Sequence, residues 1–214
     1  LSPKGNALCS FTPLTALPSL LACIQDAKMD VTRITAPKAV AQKFVQLHPK
    51  TFEVELRQGV YECSKVVLPP SNGGSLIQAT MDYEKVVGSL ILGFVRDCFP
   101  EQADAKKTAE LAKKSIAAGD VYLWKNANKE CVSMAATVRK TENTTSISWV
   151  YTPNEYRCFG YGSKVTAYLS SLMMKEGRLK CNLFTDASNT TSNRIYQKIG
   201  YVQIDEHLIC RVTS

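Results

Sequence analysis

Tyr156-Arg-Cys-Phe-Gly-Tyr-Gly-Ser163 is the stretch whose reading decides the fold. It separates an apolar, strand-like run (Ile147-Ser-Trp-Val-Tyr151) from an amphipathic, helix-like run, Val165 to Met174. A loop in that position, with glycines at 160 and 162, can aim its backbone N–H groups at a phosphate. Glycine lets the main chain take φ > 0 and lets a ligand approach with no Cβ in the way. The helix that follows adds its unpaired first N–H groups and its positive dipole end. Alone, such a loop reads equally well as a tight turn. A second segment changes the balance: Asn189-Thr-Thr-Ser-Asn-Arg-Ile-Tyr196-Gln-Lys-Ile-Gly200-Tyr201.

Arg157-x-x-Gly160-x-Gly162, with Asn189, Tyr196 and the Gly200-Tyr201 pair downstream, resembles the GNAT superfamily of acyl-CoA-dependent N-acetyltransferases. Ser192 stands where that family usually has alanine. The resemblance runs from near Ser75 to the end of the chain. It implies an α/β (α+β) fold: a mixed, mostly antiparallel sheet with flanking helices and a splayed central strand pair. Residues 75–214 would be the N-acetyltransferase domain. Residues 1–74 would be a small α/β segment plus linker, similar to the later half of a degenerate GNAT-like front domain whose first strands are missing.

The same resemblance implies acetyl-CoA as co-substrate and assigns residues to it. N–H groups of Cys158, Phe159, Gly160, Tyr161, Gly162 and Ser163 would face the pyrophosphate, with Arg157 capping or neutralising the site. Phe159 departs from the polar or basic residue the family often has there. The strand ending at Val150-Tyr151-Thr152 would part from the one at Cys181 to Thr185, and the pantetheine arm would fill the gap. One freed N–H, near Val150 or Tyr151, would face the thioester carbonyl. Asn189 would reach the pantetheine amide or an ordered water, or cap its helix. Tyr196 would be the general acid that protonates the departing thiolate. The base is not legible; Asp186, Glu142 and water are the candidates. Cys158 lies in the phosphate loop, away from the thioester, so direct attack by the amine in a ternary complex is expected. The acceptor, a small-molecule or peptide amine, stays open. A non-catalytic acyl-CoA-binding or scaffolding module is the competing reading.

Composition narrows the class. With 214 residues and 45% apolar composition the chain can bury a core. No stretch approaches the roughly 18 apolar residues of a membrane span. Leu14 to Ile24 is short and contains Pro18, and only Lys4 precedes it as a basic residue, so a buried helix fits it better than a secretory segment. Opening with Leu1, the chain reads as a fragment or processed product. The net charge of +7 is spread out: 8 basic against 5 acidic residues precede Leu76, and 18 against 14 run from it onward. No basic run interleaves with aromatics, which argues against nucleic acid, while a mild positive field suits a polyanionic cofactor. Among eight cysteines, Cys63, Cys131, Cys181 and Cys210 lie in apolar strand-like runs without metal-type spacing. That pattern points to free thiols and a reducing, cytoplasmic setting. The sequons at Asn143 and Asn189 read as chance matches.

Turn-rich Pro69 to Gly74 marks the break between front and back segments. Before it, Leu17 to Lys28 and Pro37 to Leu47 read as helices, the second with Thr35 as N-cap. Phe52 to Leu56 and Val60 to Leu68 read as two strands. If its first strands are absent, the front segment leaves a sheet edge that a second subunit could cover, giving a homodimer. After the break come a strand at Leu76–Ala79, a helix over Asp82–Phe99 and a helix from Pro100 to Ala118. Strands follow at Val121–Trp124, Cys131–Val138 and Ser146–Tyr151.

Overall fold

Elements form where apolar residues recur at helical or strand spacing, and the departures have local causes. The computed structural model describes residues 5–10 and 13–213, so Lys4 lies outside the described residues. Strand β1 (Asn6–Leu8) precedes helix α1 (Leu17–Asp26), which buries Leu17, Leu21 and Ile24 on one face. Pro18 sits in its first turn, where a missing N–H leaves no intrahelical bond unmade. Strand β2 (Arg33–Pro37) runs directly into helix α2 (Lys38–Leu47). Thr35 is therefore a strand residue, and no side chain caps α2. The two expected strands are one, β3 (Phe52–Cys63), with Gly59 inside it and Val54 exposed.

Strand β4 (Ser75–Gln78) leads to helix α3 (Glu84–Cys98). Of its apolar residues, Val87, Leu90 and Ile91 are buried, and Val86 lies at the exposed margin. The helix expected from Pro100 is split into a short 3-10 turn, Pro100–Gln102, and helix α4 (Ala105–Ala117). Asp104 causes the restart, because its Oδ1 accepts the N–H groups of Lys106 (2.9 Å) and Lys107 (3.0 Å). Strands β5 (Val121–Lys125), β6 (Cys131–Val138) and β7 (Thr144–Tyr151) follow. Helix α5 (Tyr161–Lys175), strand β8 (Lys180–Asp186), helix α6 (Thr190–Ile199) and strand β9 (Val202–Val212) complete the order.

These elements form two compact units. The first comprises Leu1–Tyr61, Phe184–Asn193 and Gln203–Ser214. Its strands run β1-β2-β9-β3. β1 is parallel to β2, and β9 is antiparallel to it with Ile34 opposite Cys210. Leu17, Leu21, Ile34, Phe44 and Leu208 fill its core.

The second unit comprises Glu62–Leu183 and Arg194–Val202. Its strands run β8-β7-β6-β5-β4, antiparallel from β4 to β7 and parallel between β7 and β8. Helices α3 and α4 cover one set of its buried residues, including Val87, Ile91, Ala112, Leu123 and Met134. Each large apolar side chain fully buried there contributes about 1.5–3 kcal/mol. Gly200, at φ +110, turns the chain beside the Lys65 carbonyl, which a Cβ would meet at 2.4 Å. No helix among the described residues is long and apolar enough to cross a membrane. No group of three or more metal-ligating side chains occurs among them.

Candidate functional site

The second unit opens where its two parallel strands stop pairing. β7 and β8 are bonded over Thr144–Lys180, Thr145–Cys181 and Ser146–Asn182, and within the second unit the ladder stops at that last pair. β7 then keeps β6 alone, and there it bulges. Ser148 faces Ala136 and Tyr151 faces Met134, so Trp149 and Val150 together oppose Ala135. Trp149 adopts φ +51, a left-handed conformation uncommon for a bulky residue. A strand that loses one neighbour offers backbone N–H and C=O groups on its open side. At the last paired rung, the buried Asn182 Oδ1 has no hydrogen-bond partner.

The far end of β7 is held by three side chains that sequence reading did not single out or did not place. Ser133 Oγ donates to the Tyr151 carbonyl (3.0 Å) and lies 2.9 Å from Thr152 Oγ1. Arg157 Nε donates to the Thr152 carbonyl at 3.0 Å, and its Nη2 pairs with Asp97 of α3. Its guanidinium also stands 5.9 Å from the centre of the Tyr151 ring. Arg157 thus ties the loop to the strand end, with Asp97 balancing its charge. Asp97 is invisible to sequence reading because the contact spans 60 positions.

The loop itself has left-handed backbone at Cys158 (φ +69) and Gly160 (φ +74). Gly160 precedes α5, and a Cβ there would point into open space. The first helical bond runs from Lys164 N to the Gly160 carbonyl (3.0 Å). The N–H groups of Tyr161, Gly162 and Ser163 therefore have no intrahelical acceptor, and the positive end of a 15-residue helix stands behind them. Gly162 serves close approach rather than φ: a Cβ there would lie 3.4 Å from Thr152 Oγ1 and 3.9 Å from Val150 Cγ1. The structure thus brings Val150, Thr152 and the loop from Arg157 to Ser163 to one place. Phe159 is 64% exposed and stacks on Tyr161.

Tyr196, on the part of α6 that belongs to the second unit, is buried. Loss of solvation pushes its phenol up to about 12, with the Cys98 thiol adding to the effect. At neutral pH it therefore holds its proton. Its ring meets that of Tyr201 edge-on, 6.1 Å between centres. The Tyr201 hydroxyl is 2.7 Å from Ser170 Oγ, and burial raises that phenol too. Ser170 bonds back to the Thr166 carbonyl, and Thr166 to the Gly162 carbonyl (both 2.8 Å). Both hydroxyls thus back-bond to α5 carbonyls, and Ser170 alone links the helix to the Tyr201 hydroxyl.

Asn189 lies in the first unit, where its Oδ1 accepts the Ser192 N–H at 3.0 Å and caps α6. Asp186 is engaged by Ser188, whose N–H and hydroxyl both donate to its Oδ1. Glu142 precedes the start of β7, roughly 25 Å along the strand from Tyr151 at the usual rise per residue, so it does not reach this site.

All eight cysteines are free. Cys63, Cys181 and Cys210 are buried, and desolvation holds their thiols above the ordinary range, Cys181 at about 12. Brief alkylation of the native protein should label exposed Cys23, Cys98 and Cys158 first and spare those three. Peptide mass spectrometry without reductant checks this, and should find no internal disulfide. Rapid labelling of Cys181, or two native bridges, would contradict it.

Comparison with known proteins agrees with the fold. The family model described as FR47-like protein matches residues 127–210. No curated protein matches the chain by sequence. Among solved structures, an acetyltransferase of the GNAT family from Colwellia psychrerythraea superposes with TM-score 0.68 at 12% identity, over 94% of this chain and 73% of that one. A GCN5-related N-acetyltransferase from Kribbella flavida gives TM-score 0.68 at 18% identity, over 96% and 78%. A tandem GNAT protein from the clavulanic acid biosynthesis pathway gives 0.59 at 12%, over 90% and 68%.

Proposed function

Because this chain has the GNAT acetyltransferase fold, with residues 127–210 matching the FR47-like family, we propose that it is an N-acetyltransferase using acetyl-CoA and a primary amine. The observation that carries this is the fork between β7 and β8, opening beside a helix N-terminus with unpaired N–H groups.

The residues present fit acetyl-CoA. The open space at Gly160 and the unpartnered Asn182 Oδ1 leave polar groups and room for a phosphate-bearing, amide-containing ligand. N–H groups of residues 158–163 hold the pyrophosphate, while the free edge of Val150–Thr152 pairs with the pantetheine amides. When bound, acetyl-CoA supplies an acyl group activated on sulfur. An N–H of Val150 or Tyr151 donates to the acyl oxygen, where negative charge grows as the amine attacks; one such donor is worth about 3–4 kcal/mol of barrier. Tyr196 holds the proton that the departing sulfur needs. Asp186 is occupied by Ser188 and Glu142 is remote, so water takes the proton from the amine. Cys158 stays with the phosphate loop and forms no acyl intermediate.

The first unit reads as a degenerate GNAT-like half, an interpretation supported by likeness to a protein described as tandem GNAT. Turnover of acetyl-CoA against a panel of small amines, amino sugars and peptides tests the activity. Acetylation of at least one amine, dependent on Tyr196, is expected. Binding of acetyl-CoA with no turnover on any amine would favour a non-catalytic acyl-CoA-binding module.

A further inference from the structure

Arg157, which the resemblance assigns to the phosphates, spends its guanidinium inside the protein. Its Nε donates to the Thr152 carbonyl at 3.0 Å, and its Nη2 pairs with Asp97. The same group stands 5.9 Å from the centre of the Tyr151 ring. Tyr151 lies against α3, where Gly93 leaves it room: a Cβ there would come within 2.6 Å of the Tyr151 hydroxyl oxygen and 2.7 Å of its ring. Gly93 and Asp97 stand one turn apart, so α3 presents both on one face. From β6, Ser133 Oγ donates to the Tyr151 carbonyl and lies 2.9 Å from Thr152 Oγ1. The helix, the neighbouring strand and the loop therefore converge on Tyr151 and Thr152, directly after the bulge at Trp149 and Val150.

This convergence supplies direction more than stability. The Arg157 and Asp97 side chains are 46% and 42% exposed, and an ion pair that open adds little to folding. A bulge, however, bends its strand and re-aims the groups around it, so the strand end keeps one orientation only if contacts outside the ladder hold it. Orientation matters here because an oxyanion donor works only where it already points at the acyl oxygen. A small misplacement of a positioned group forfeits much of its effect. Bridging a carbonyl and a carboxylate from one planar group is something arginine does and lysine does not. We propose that Asp97 is a positioning residue: through Arg157 it fixes Tyr151 and Thr152, and so aims the Val150 or Tyr151 N–H at the thioester carbonyl. Arg157 then serves the strand end and adds little to phosphate binding.

This rests on the acetyl-CoA reading, and the experiment separates the two. Calorimetry gives the affinity for acetyl-CoA. Infrared spectroscopy of bound acetyl-CoA, isotopically labelled at the acyl carbonyl, gives the carbonyl stretch, which falls as a donor polarises it. The wild-type bound band should lie below that of free acetyl-CoA. Asp97→Ala and Arg157→Lys should each lose about half of that shift or more, and the double variant no more than the larger single loss, because the two residues act as one unit. Affinity should change less than about threefold in all three, since lysine still serves a phosphate as a point charge. Melting temperatures close to wild type show an intact fold. An unchanged band in Asp97→Ala, or a wild-type band at the free position with binding intact, would overturn the inference and leave acetyl-CoA binding standing. Affinity about tenfold weaker in Arg157→Gln and restored in Arg157→Lys would also overturn it, and would return Arg157 to the phosphates. Absence of wild-type binding would overturn it together with the proposed function.

Discussion

Tyr196→Phe is expected to lower the single-turnover rate of acetyl transfer about a hundredfold while leaving acetyl-CoA affinity unchanged. Loss of a general acid typically costs about 10²–10⁴-fold. The buried phenol sets the expectation at the lower end. With its pKa pushed up to about 12, transfer to a thiolate of ordinary pKa about 8.5 is uphill by roughly 5 kcal/mol, so the proton helps only as the carbon–sulfur bond breaks. Removing the hydroxyl leaves the ring against Tyr201 in place, so binding should persist.

The sign with pH follows from the same shift. The acid works while protonated, so its contribution holds through neutral pH and is lost only as pH rises toward about 12. A Tyr196-dependent break in the rate below pH 10 would contradict this. Stopped-flow rates paired with a binding measurement separate acid chemistry from packing, since slow product release masks the loss in kcat. An unchanged single-turnover rate would move proton delivery to water.

Gly160→Ala combined with Gly162→Ala should raise the dissociation constant for acetyl-CoA at least tenfold, toward a hundredfold. At Gly160 the cost is conformational. Space for the methyl exists, but φ +74 does not suit an L side chain, and the new Cβ stands where a phosphate would approach. At Gly162 the methyl would press within 3.4 Å of Thr152 Oγ1 and lever the first turn of α5 away from the end of β7. Hydrogen bonds to charged groups are worth about 1.5–3 kcal/mol each, so misaiming even one reaches the expected range. Calorimetry on wild type and double variant measures it, and equal affinities would show the loop to be an ordinary turn.

Most of the second unit was legible in the sequence because its signals are local. Strands β5, β6 and β7 alternate or run apolar between polar turns, and glycines mark the loop before α5. The first unit was less legible. β2 is only five residues long and merges with α2 at Pro37, which led Thr35 to read as a cap. Gly59 split one strand into two on paper because glycine inside a strand looks like a turn. That β9 pairs with β2 is a contact between distant segments, and no periodicity reports it.

The site shows the same division. Gly160, Gly162 and Tyr196 fall at readable spacings. The anchors Ser133 and Asp97 and the fork at Asn182 depend on tertiary contact. The bulge at Trp149 was unreadable for a different reason: a left-handed tryptophan contradicts local preference and is held there by its surroundings.

The most direct test of an acyl-CoA site in the fork is calorimetric titration of the wild-type chain with acetyl-CoA, followed by alkylation of Cys158 in its presence. Saturable one-to-one binding that protects Cys158, the exposed thiol of the loop, is the expected result. Absence of binding, or binding that leaves Cys158 as reactive as before, would contradict it.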